Sequence, residues 1–480
     1  MRKHFQIWQV LYPIGTACFF PLPTMQLSLT PPIETRPSLL PKLAAKPWVR
    51  APAEELILVN TRIVRPESSS VLGGLQDIHI KKGFVAAIKP SKAEPSPTRE
   101  GDQVKIVDLQ GAYVCPGLID CHVHVTAVPG SQNMMDIFSA SEQDVNLRTT
   151  YVLKEMLLRG FTTVRDTGGA SKRIALAIEE GLIPGPRLIQ CGKGLSQTGG
   201  HGDFTPSESH TGCCGGHGAA KGLGRVVDGV PDILKATREE LKAGADFIKI
   251  MVGGGVASET DTIESVQFTA EEIQAVTTTC KQMGGKMVTA HAYTVDSVRH
   301  AIDNGATGIE HGNLIDRPTA NLMASKGVYL TPTLSCYGIM IRPPFEDFLP
   351  PSGKIKNEQV QSQGLDAMKI AHEAGVTICY GSDLLSSMHA LQTEEFSVRA
   401  GVLPSDVVLK HATTNPAKML GKSSLIGTIA PGAYADLLVL DANPLEDVTI
   451  LDWPENHLLA VMKGGRVYRS SIADLSVDGL

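Results

Sequence analysis

Between residues 113 and 382 a short apolar run is followed, again and again, by a longer amphipathic stretch. The apolar runs are Tyr113–His122, Phe161–Asp166, Arg187–Cys191, Phe247–Val252, Met287–Ala292, Thr307–His311, Val328–Leu334 and Val376–Ser382. Helical patterns fall between most of them, at Leu147–Arg159, Ile233–Leu241, Ala270–Gln282, Val295–Asn304 and Glu358–Glu373. Glycine stands just past four of these (Gly160, Gly244, Gly305, Gly375), where a helix ends. Parallel strands need a crossover, and a helix is the usual one. Eight strand–helix units over roughly 300 residues therefore predict an α/β fold, read first as a (β/α)8 TIM-like barrel. A doubly wound sheet has the same local rhythm and is the alternative.

Outside this region the texture changes. Leu56–Val64, Ile78–Ile80 and Phe84–Ile88 read as short strands, and so do Leu437–Leu440 and Val461–Tyr468. Neither end is large enough alone, so the two are expected to pair into one small β-sandwich. The expected division is 55–115 plus 425–480 for the sandwich and 116–424 for the barrel. Residues 1–54 form a proline-rich extension: nine of the 30 prolines fall within 1–52. That segment reads as disordered rather than as a signal peptide. Gln6, Gln9 and Pro13 interrupt its apolar stretch and no small-x-small cleavage pattern follows.

Charge and composition exclude several classes. The net charge is −6 with 44 Lys+Arg, and no basic run stands out, so no nucleic-acid partner is expected. Apolar stretches stay below the ~20 residues of a membrane helix. Nine cysteines without a short disulfide framework, several inside apolar runs, point to free thiols and a cytoplasmic location.

The chemistry gathers at strand ends. In Asp120-Cys-His-Val-His124, strand alternation puts Asp120, His122 and His124 on one face. Two imidazoles so spaced can reach one metal ion, although this pair alone occurs often by chance. His291 closes the fifth strand, His311 the sixth, and Asp383 follows the eighth. Lys249 lies inside the apolar fourth strand, where a cation is costly to bury. On a barrel these side chains would converge at one mouth. Lys193–Gly229, with eleven glycines, would overhang it. Arg165-Asp166 ends the second strand; Arg165 is a candidate for a substrate carboxylate, with a structural ion pair as the commoner outcome. Glu310, beside His311, points away from the site by alternation and reads as a supporting or packing group. His210, Cys213, Cys214 and His217 fit no standard zinc module.

His122-x-His124, Lys249, His291, His311 and Asp383, in that order, resemble the metal set of the amidohydrolase superfamily, binuclear type. The resemblance runs from about residue 55 to 470. Leu195-Ser-Gln-Thr-Gly-Gly-His-Gly-Asp203, Ile248-Lys-Ile-Met-Val-Gly-Gly-Gly255, Thr289-Ala-His-Ala-Tyr293 and Ile309-Glu-His-Gly312 are similar to one branch. It holds the metal-dependent Xaa-Pro and Xaa-Arg/Lys dipeptidases, the imidazolonepropionase-related amidohydrolases and ochratoxinase. The departures are the proline-rich start and the Ser209–Gly224 stretch.

The resemblance implies two divalent metal ions bridged by a carbamylated Lys249. His122, His124 and Asp383 would hold the first ion and His291 and His311 the second. Zinc suits this donor set, with manganese or cobalt open. A metal-bridging hydroxide would attack an amide carbonyl, and Asp383 would move its proton to the leaving nitrogen. His201 and Tyr293 are candidates to bind the substrate carbonyl or carboxylate. The substrate would be a dipeptide, an N-acyl amino acid or an ochratoxin-like amide. Cyclic-amide hydrolase, lactonase and deaminase are enzyme alternatives, and a scaffold on an inactive fold is the non-enzyme one. Relatives in the branch imply a homo-oligomer, possibly an octamer.

Overall fold

The computed structural model describes residues 44–92, 104–131, 133–205 and 222–478. Residues 1–43 of the proline-rich start, and His210, Cys213, Cys214 and His217, lie outside them. Of the Met1–Trp48 unit, residues 44–48 are described as bends and turns. Val49–Leu480 packs as one compact unit.

Within it, parallel strands alternate with helices. Leu118–Val123, Phe161–Asp166 and Arg187–Gln190 form a parallel three-stranded sheet. A parallel six-stranded sheet runs Gly224–Val226, Gly194–Ser196, Ile248–Met251, Val288–Thr294, Gly308–Leu314, Tyr329–Thr331. Most of these strands are buried on both faces, as strands covered by helices on one side and packed side chains on the other must be. Capping boxes start two of the covering helices: Thr269 for Ala270–Gln282 and Thr294 for Val295–Asp303. Gly160, Gly244, Gly305 and Gly375 all take left-handed φ, between 82° and 101°, just past helix ends.

Backbone hydrogen bonds also cross between the two sheets. Asp246 N donates to Gln190 O (2.8 Å) just ahead of the Ile248–Met251 strand. On the other side, Cys379 N donates to Leu330 O and Cys121 N to Tyr380 O, each at 2.8 Å. The expected eighth strand, Val376–Ser382, is thus an extended linker whose one ladder contact is the parallel bridge Leu330↔Ile378.

Two other expectations change. Tyr113–His122 is two strands, because the chain switches sheets at Pro116-Gly117. A Cβ on Gly117 would lie 2.2 Å from Thr162 Oγ1. The Lys193–Gly229 connection is partly ordered sheet: Gly194–Ser196 pairs with Gly224–Val226, and Leu195 with Ile250.

The chain ends meet in a nine-stranded mixed sheet. Leu437–Leu440 runs antiparallel to Tyr113–Pro116, which pairs in parallel with the later part of Leu56–Arg65. The earlier part of that strand pairs with Lys105–Asp108 instead. Asn60, at φ 57°, sits where the partner changes, in a left-handed conformation asparagine tolerates. Val461–Tyr468 is a hairpin, Leu458–Lys463 with Arg466–Ser470, turned by Gly464-Gly465. Among the described residues no helix is long and apolar enough to cross a membrane. Six described cysteines are buried with free thiols.

Candidate metal centre

His122 is the next-to-last residue of its strand, whereas His291 and His311, expected to close theirs, are each fourth of seven because both strands run three residues further; Asp383 follows the extended 376–382 segment. Their rings and that of His201 form a continuous row. Ring centroids are 5.4 Å apart for His124–His122, 4.9 Å for His122–His311, 4.6 Å for His311–His291 and 4.0 Å for His291–His201. The Asp383 carboxylate faces three of them: Oδ1 is 3.4 Å from His122 Nε2 and 3.3 Å from His124 Nε2, and Oδ2 is 4.0 Å from His311 Nδ1. Potential donor atoms of His122, His311 and Asp383 all lie within 4.8 Å of one another.

Each imidazole has one nitrogen held closely by the protein, and at His124 the other, Nε2, also has a long contact of 3.4 Å to Thr167 Oγ1. His122 Nδ1 meets Glu310 Oε2 at 2.8 Å, and His124 Nδ1 donates to Gly168 O at 2.9 Å. His291 Nε2 donates to Gly254 O at 3.0 Å, and His311 Nδ1 lies 2.7 Å from Thr333 Oγ1. Burial and neighbouring positive groups push His291 and His311 well below the usual imidazole range, so both are neutral donors near pH 7. Burial alone would raise the Asp383 pKa, but His122 and His124 hold it well below the ordinary value. A set of imidazoles around one ionised carboxylate fits a divalent transition metal. Asp120 anchors the segment that carries Asp383, accepting from Ser382 N (3.2 Å) and Ser382 Oγ (2.6 Å).

Lys249 is buried in the adjoining strand, with no hydrogen bond or ion pair at Nζ among the described residues. Burial pulls its pKa down, against the pull of Glu310 and Asp383. Burial outweighs these two carboxylates, so the charged form of the amine is disfavoured there.

Glu310 supports a site histidine, as expected, but it does so from the side of the site and does not point away from it. In the parallel register His291 pairs with Glu310, and Ala292 with His311. Paired residues of neighbouring parallel strands face the same way. Glu310 therefore shares the side of His291, and His311 is the residue that regular pleating would turn away. The backbone corrects this: His311 has φ 73°, beside a register shift. Asp383 is likewise left-handed, at φ 50°. Strain of this kind in a non-glycine residue gathers where side-chain aim matters.

Arg165 does not reach the cavity. Its guanidinium is buried, donating from Nε to Cys121 O and from Nη2 to Glu310 Oε1, both at 2.6 Å. Thr289 donates to the same carboxylate. Arg165 is the counter-charge of Glu310, and the carboxylate-binding expectation is corrected to this ion pair. Burial would raise Glu310's pKa, but Arg165 and His122 hold it far below the carboxylate range.

The cavity beside the centre is lined by His124, His201, His291, Tyr293, Tyr337 and Asp383, with Met134, Phe204, Leu223, Val256, Met340 and Leu349 as apolar walls. Tyr337 Oη donates to Tyr293 Oη at 3.0 Å, which leaves the Tyr293 hydroxyl proton free to donate. Burial keeps both phenols protonated. His201 is fixed from behind. Ser258 Oγ donates to Asp261 Oδ1 (2.5 Å) and so accepts from His201 Nδ1 (3.1 Å). His201 Nε2 is then an acceptor, and burial lowers its pKa to about 4. As a neutral acceptor it suits an N–H or O–H group, not the carboxylate or carbonyl expected from sequence. Lys356 staples the Gly255–Asp261 loop from Nζ, through Gly255 O, Ser258 O and Asp261 Oδ1. A Cβ at Gly255 would lie 1.8 Å from His201 Nδ1, so only glycine admits that ring. Thr333, Tyr337, Ser258 and Lys356 carried no sequence signal, since ordinary residue types become partners only through tertiary contact.

Comparison with known proteins places the chain. Ochratoxinase of Aspergillus niger is 30% identical over 364 residues, covering 74% of this chain and 75% of its own. A prolidase structure complexed with N-methylphosphonate-L-proline superposes with a TM-score of 0.80 at 37% identity, over 86% of this chain and 99% of that one. A Xaa-Pro dipeptidase with bound methionine gives 0.77 at 28% identity, over 87% and 100%. Residues 113–468 match the Amidohydrolase family. That match runs from the strand before the first histidine pair to the closing hairpin of the terminal sheet, and this chain belongs to the amidohydrolase family.

Proposed function

We propose that this chain is a metal-dependent hydrolase of amide C–N bonds. Its substrate would carry a free carboxylate beside the leaving nitrogen: a dipeptide, an N-acyl amino acid or an ochratoxin-like amide. The observation that carries the reading is the row of imidazoles meeting at one ionised carboxylate, Asp383, beside an apolar cavity. The names of the similar proteins favour the same bond type. We read the hydrogen bonds of the 377–380 segment and of Asp246 as closing a (β/α)8 barrel over residues 116–424. The sheet from both chain ends would be the accompanying β-sandwich domain, residues 55–115 plus 425–480.

His122, His124 and Asp383 would hold one divalent cation and His291 and His311 a second, zinc by donor type. Lys249, neutral enough to take up CO2 as a carbamate, would join the two. Bound metals supply a Lewis acid for the carbonyl and a water of lowered pKa. The remaining steps belong to the chain. Asp383, ionised at neutral pH, takes the proton of the attacking water and returns it to the leaving nitrogen. Tyr293 donates to a substrate oxygen, and His201 Nε2 accepts from a substrate N–H. The apolar walls hold a hydrophobic acyl or amine group and exclude water. A cytoplasmic homo-oligomer is the expected setting.

The test is metal content together with a substrate screen. Zinc- and bicarbonate-supplied protein should hold about two ions per chain. It should hydrolyse members of an N-acyl amino acid and dipeptide panel. The His122→Ala/His124→Ala variant should lose at least one ion and all turnover. A full metal complement in that variant, or no amide hydrolysis by two-metal wild type, would sink the reading.

A further inference from the structure

A second cleft lies at the opposite end of the parallel strands, where Arg187 begins its strand. It is lined by Arg50, Lys82, Arg187, Lys463 and Arg466, five cations in a chain of net charge −6. Glu179 and Glu180 are the lining carboxylates. Of the five cations, Arg187 alone is in an ion pair among the described residues, with Asp436 at 3.4 Å. Lys463 Nζ donates to Gly185 O (2.6 Å), and Arg466 to Ala51 O, both neutral acceptors.

Two details set this cleft apart from an ordinary solvated basic surface. Arg187 Nε is buried without a hydrogen-bond partner among the described residues, although its guanidinium stacks 3.9 Å from the Tyr434 ring. An orphaned buried donor of a charged group is costly unless something arrives to accept from it. Lys463 is enclosed beside that guanidinium, and burial followed by Arg187 pulls its pKa down to about 7, against the pull of Asp436 and Glu179. Both defects are repaired by one event, the arrival of negative charge. Set against Glu179, Glu180 and Asp436, the five cations keep a surplus of two, which calls for more than one negative charge, and guanidinium forks match oxyanions with paired N–H donors.

We propose that this cleft is a ligand site for a small multivalent oxyanion, of phosphate-ester or polycarboxylate type, separate from the catalytic cavity. None of its lining residues lines that cavity, and the proposal is independent of the metal centre.

Calorimetric titration of the full-length, zinc-loaded protein with pyrophosphate and, separately, citrate tests it at low ionic strength. At least one anion should bind at submillimolar concentration, and more weakly as salt is added. Lys463→Gln/Arg466→Gln should weaken binding by about tenfold or more, as loss of charge-assisted hydrogen bonds does. Arg50→Ala/Lys82→Ala, which removes two cations without burying a new group, should weaken it in the same direction. Both variants should keep wild-type amide hydrolysis. The His122→Ala/His124→Ala variant separates this site from anion capture by the metals, and there binding should persist. Tighter pyrophosphate binding assigns a phosphorylated ligand, and tighter citrate binding a polycarboxylate. Equal affinity in wild type and both cleft variants, or no heat at millimolar anion, overturns the proposal.

Discussion

Glu310 Oε2 lies 2.8 Å from His122 Nδ1, and both side chains are sealed from solvent. An ionised carboxylate can only accept, so Nδ1 carries the proton and Nε2 is left facing Asp383. The same carboxylate is neutralised by Arg165 from the other side. The buried string Arg165–Glu310–His122 thus sets the tautomer and aim of one imidazole.

Removing Glu310 alone would leave Arg165 as a buried, unpaired cation, which is strongly destabilising. The informative variant is therefore Glu310→Gln combined with Arg165→Met. We expect a folded protein whose zinc affinity is about 10–100-fold weaker, the usual loss when a metal-bound histidine loses its outer partner. Chelator competition measures it. Wild-type zinc affinity in the double variant would reduce Glu310 to a counter-ion for Arg165.

This relationship marks how far the sequence could be read. The strand–helix rhythm and the order of ligand-type residues were visible because period and spacing are local. Counting alternately from His311, however, sends Glu310 away from the site. The count fails because His311 is left-handed, at φ 73°, and nothing in Ile309-Glu-His-Gly312 announces that. Only the register with the neighbouring strand, His291 against Glu310, reveals which of the two residues follows the pleat. For Arg165 the sequence offers a substrate carboxylate or a structural ion pair, and it cannot name the partner because Glu310 is 145 residues away. The eighth strand, Val376–Ser382, was legible as an apolar run but not as a segment with a single bridge.

Lys249 gives a test by chemical rescue. A buried amine with no hydrogen bond or ion pair among the described residues is explained if it is carbamylated, since the carbamate is anionic and can ligate. Lys249→Ala should lose metal and activity together, and acetate or propionate with added zinc should restore part of both. Lys249→Arg should stay inactive, because guanidinium remains cationic. An active Lys249→Arg enzyme would make the lysine a packing residue only.

His389 predicts an acid limb in stability. Burial, with Arg159 nearby, lowers its pKa from 6.5 to about 3, and Nε2 donates to Ala127 O at 3.0 Å. Between those values the unfolded chain binds a proton at this residue and the folded chain does not. Stability is therefore fully present above pH 6.5 and falls as the pH drops toward 3. His389→Gln keeps a donor but cannot titrate. Its stability-versus-pH slope between those limits should be shallower than wild type by about 1.4 kcal/mol per pH unit, the weight of one proton. Urea unfolding at several pH values measures both slopes. Superimposable slopes would mean that folded His389 is already protonated.

The last prediction separates the two roles open to Asp383. It faces His122 and His124 as a ligand would, and its depressed pKa keeps it ionised, and so able to accept a proton, at neutral pH. If it is a ligand only, Asp383→Asn weakens metal binding, and saturating zinc restores most of the turnover. If it also moves the proton, the asparagine enzyme stays slow even when fully metallated, because an amide cannot accept that proton. General acid–base groups contribute about 10²–10⁴-fold, so kcat for an amino-acid amide should fall at least that far. The loss should depend on the leaving group. A poorly departing amine needs the returned proton, whereas an activated ester or anilide needs it less. We therefore expect a smaller kcat loss on the activated substrate, with bound zinc measured in the same samples. Near-wild-type amide hydrolysis by a two-metal Asp383→Asn enzyme would remove Asp383 from the proton path.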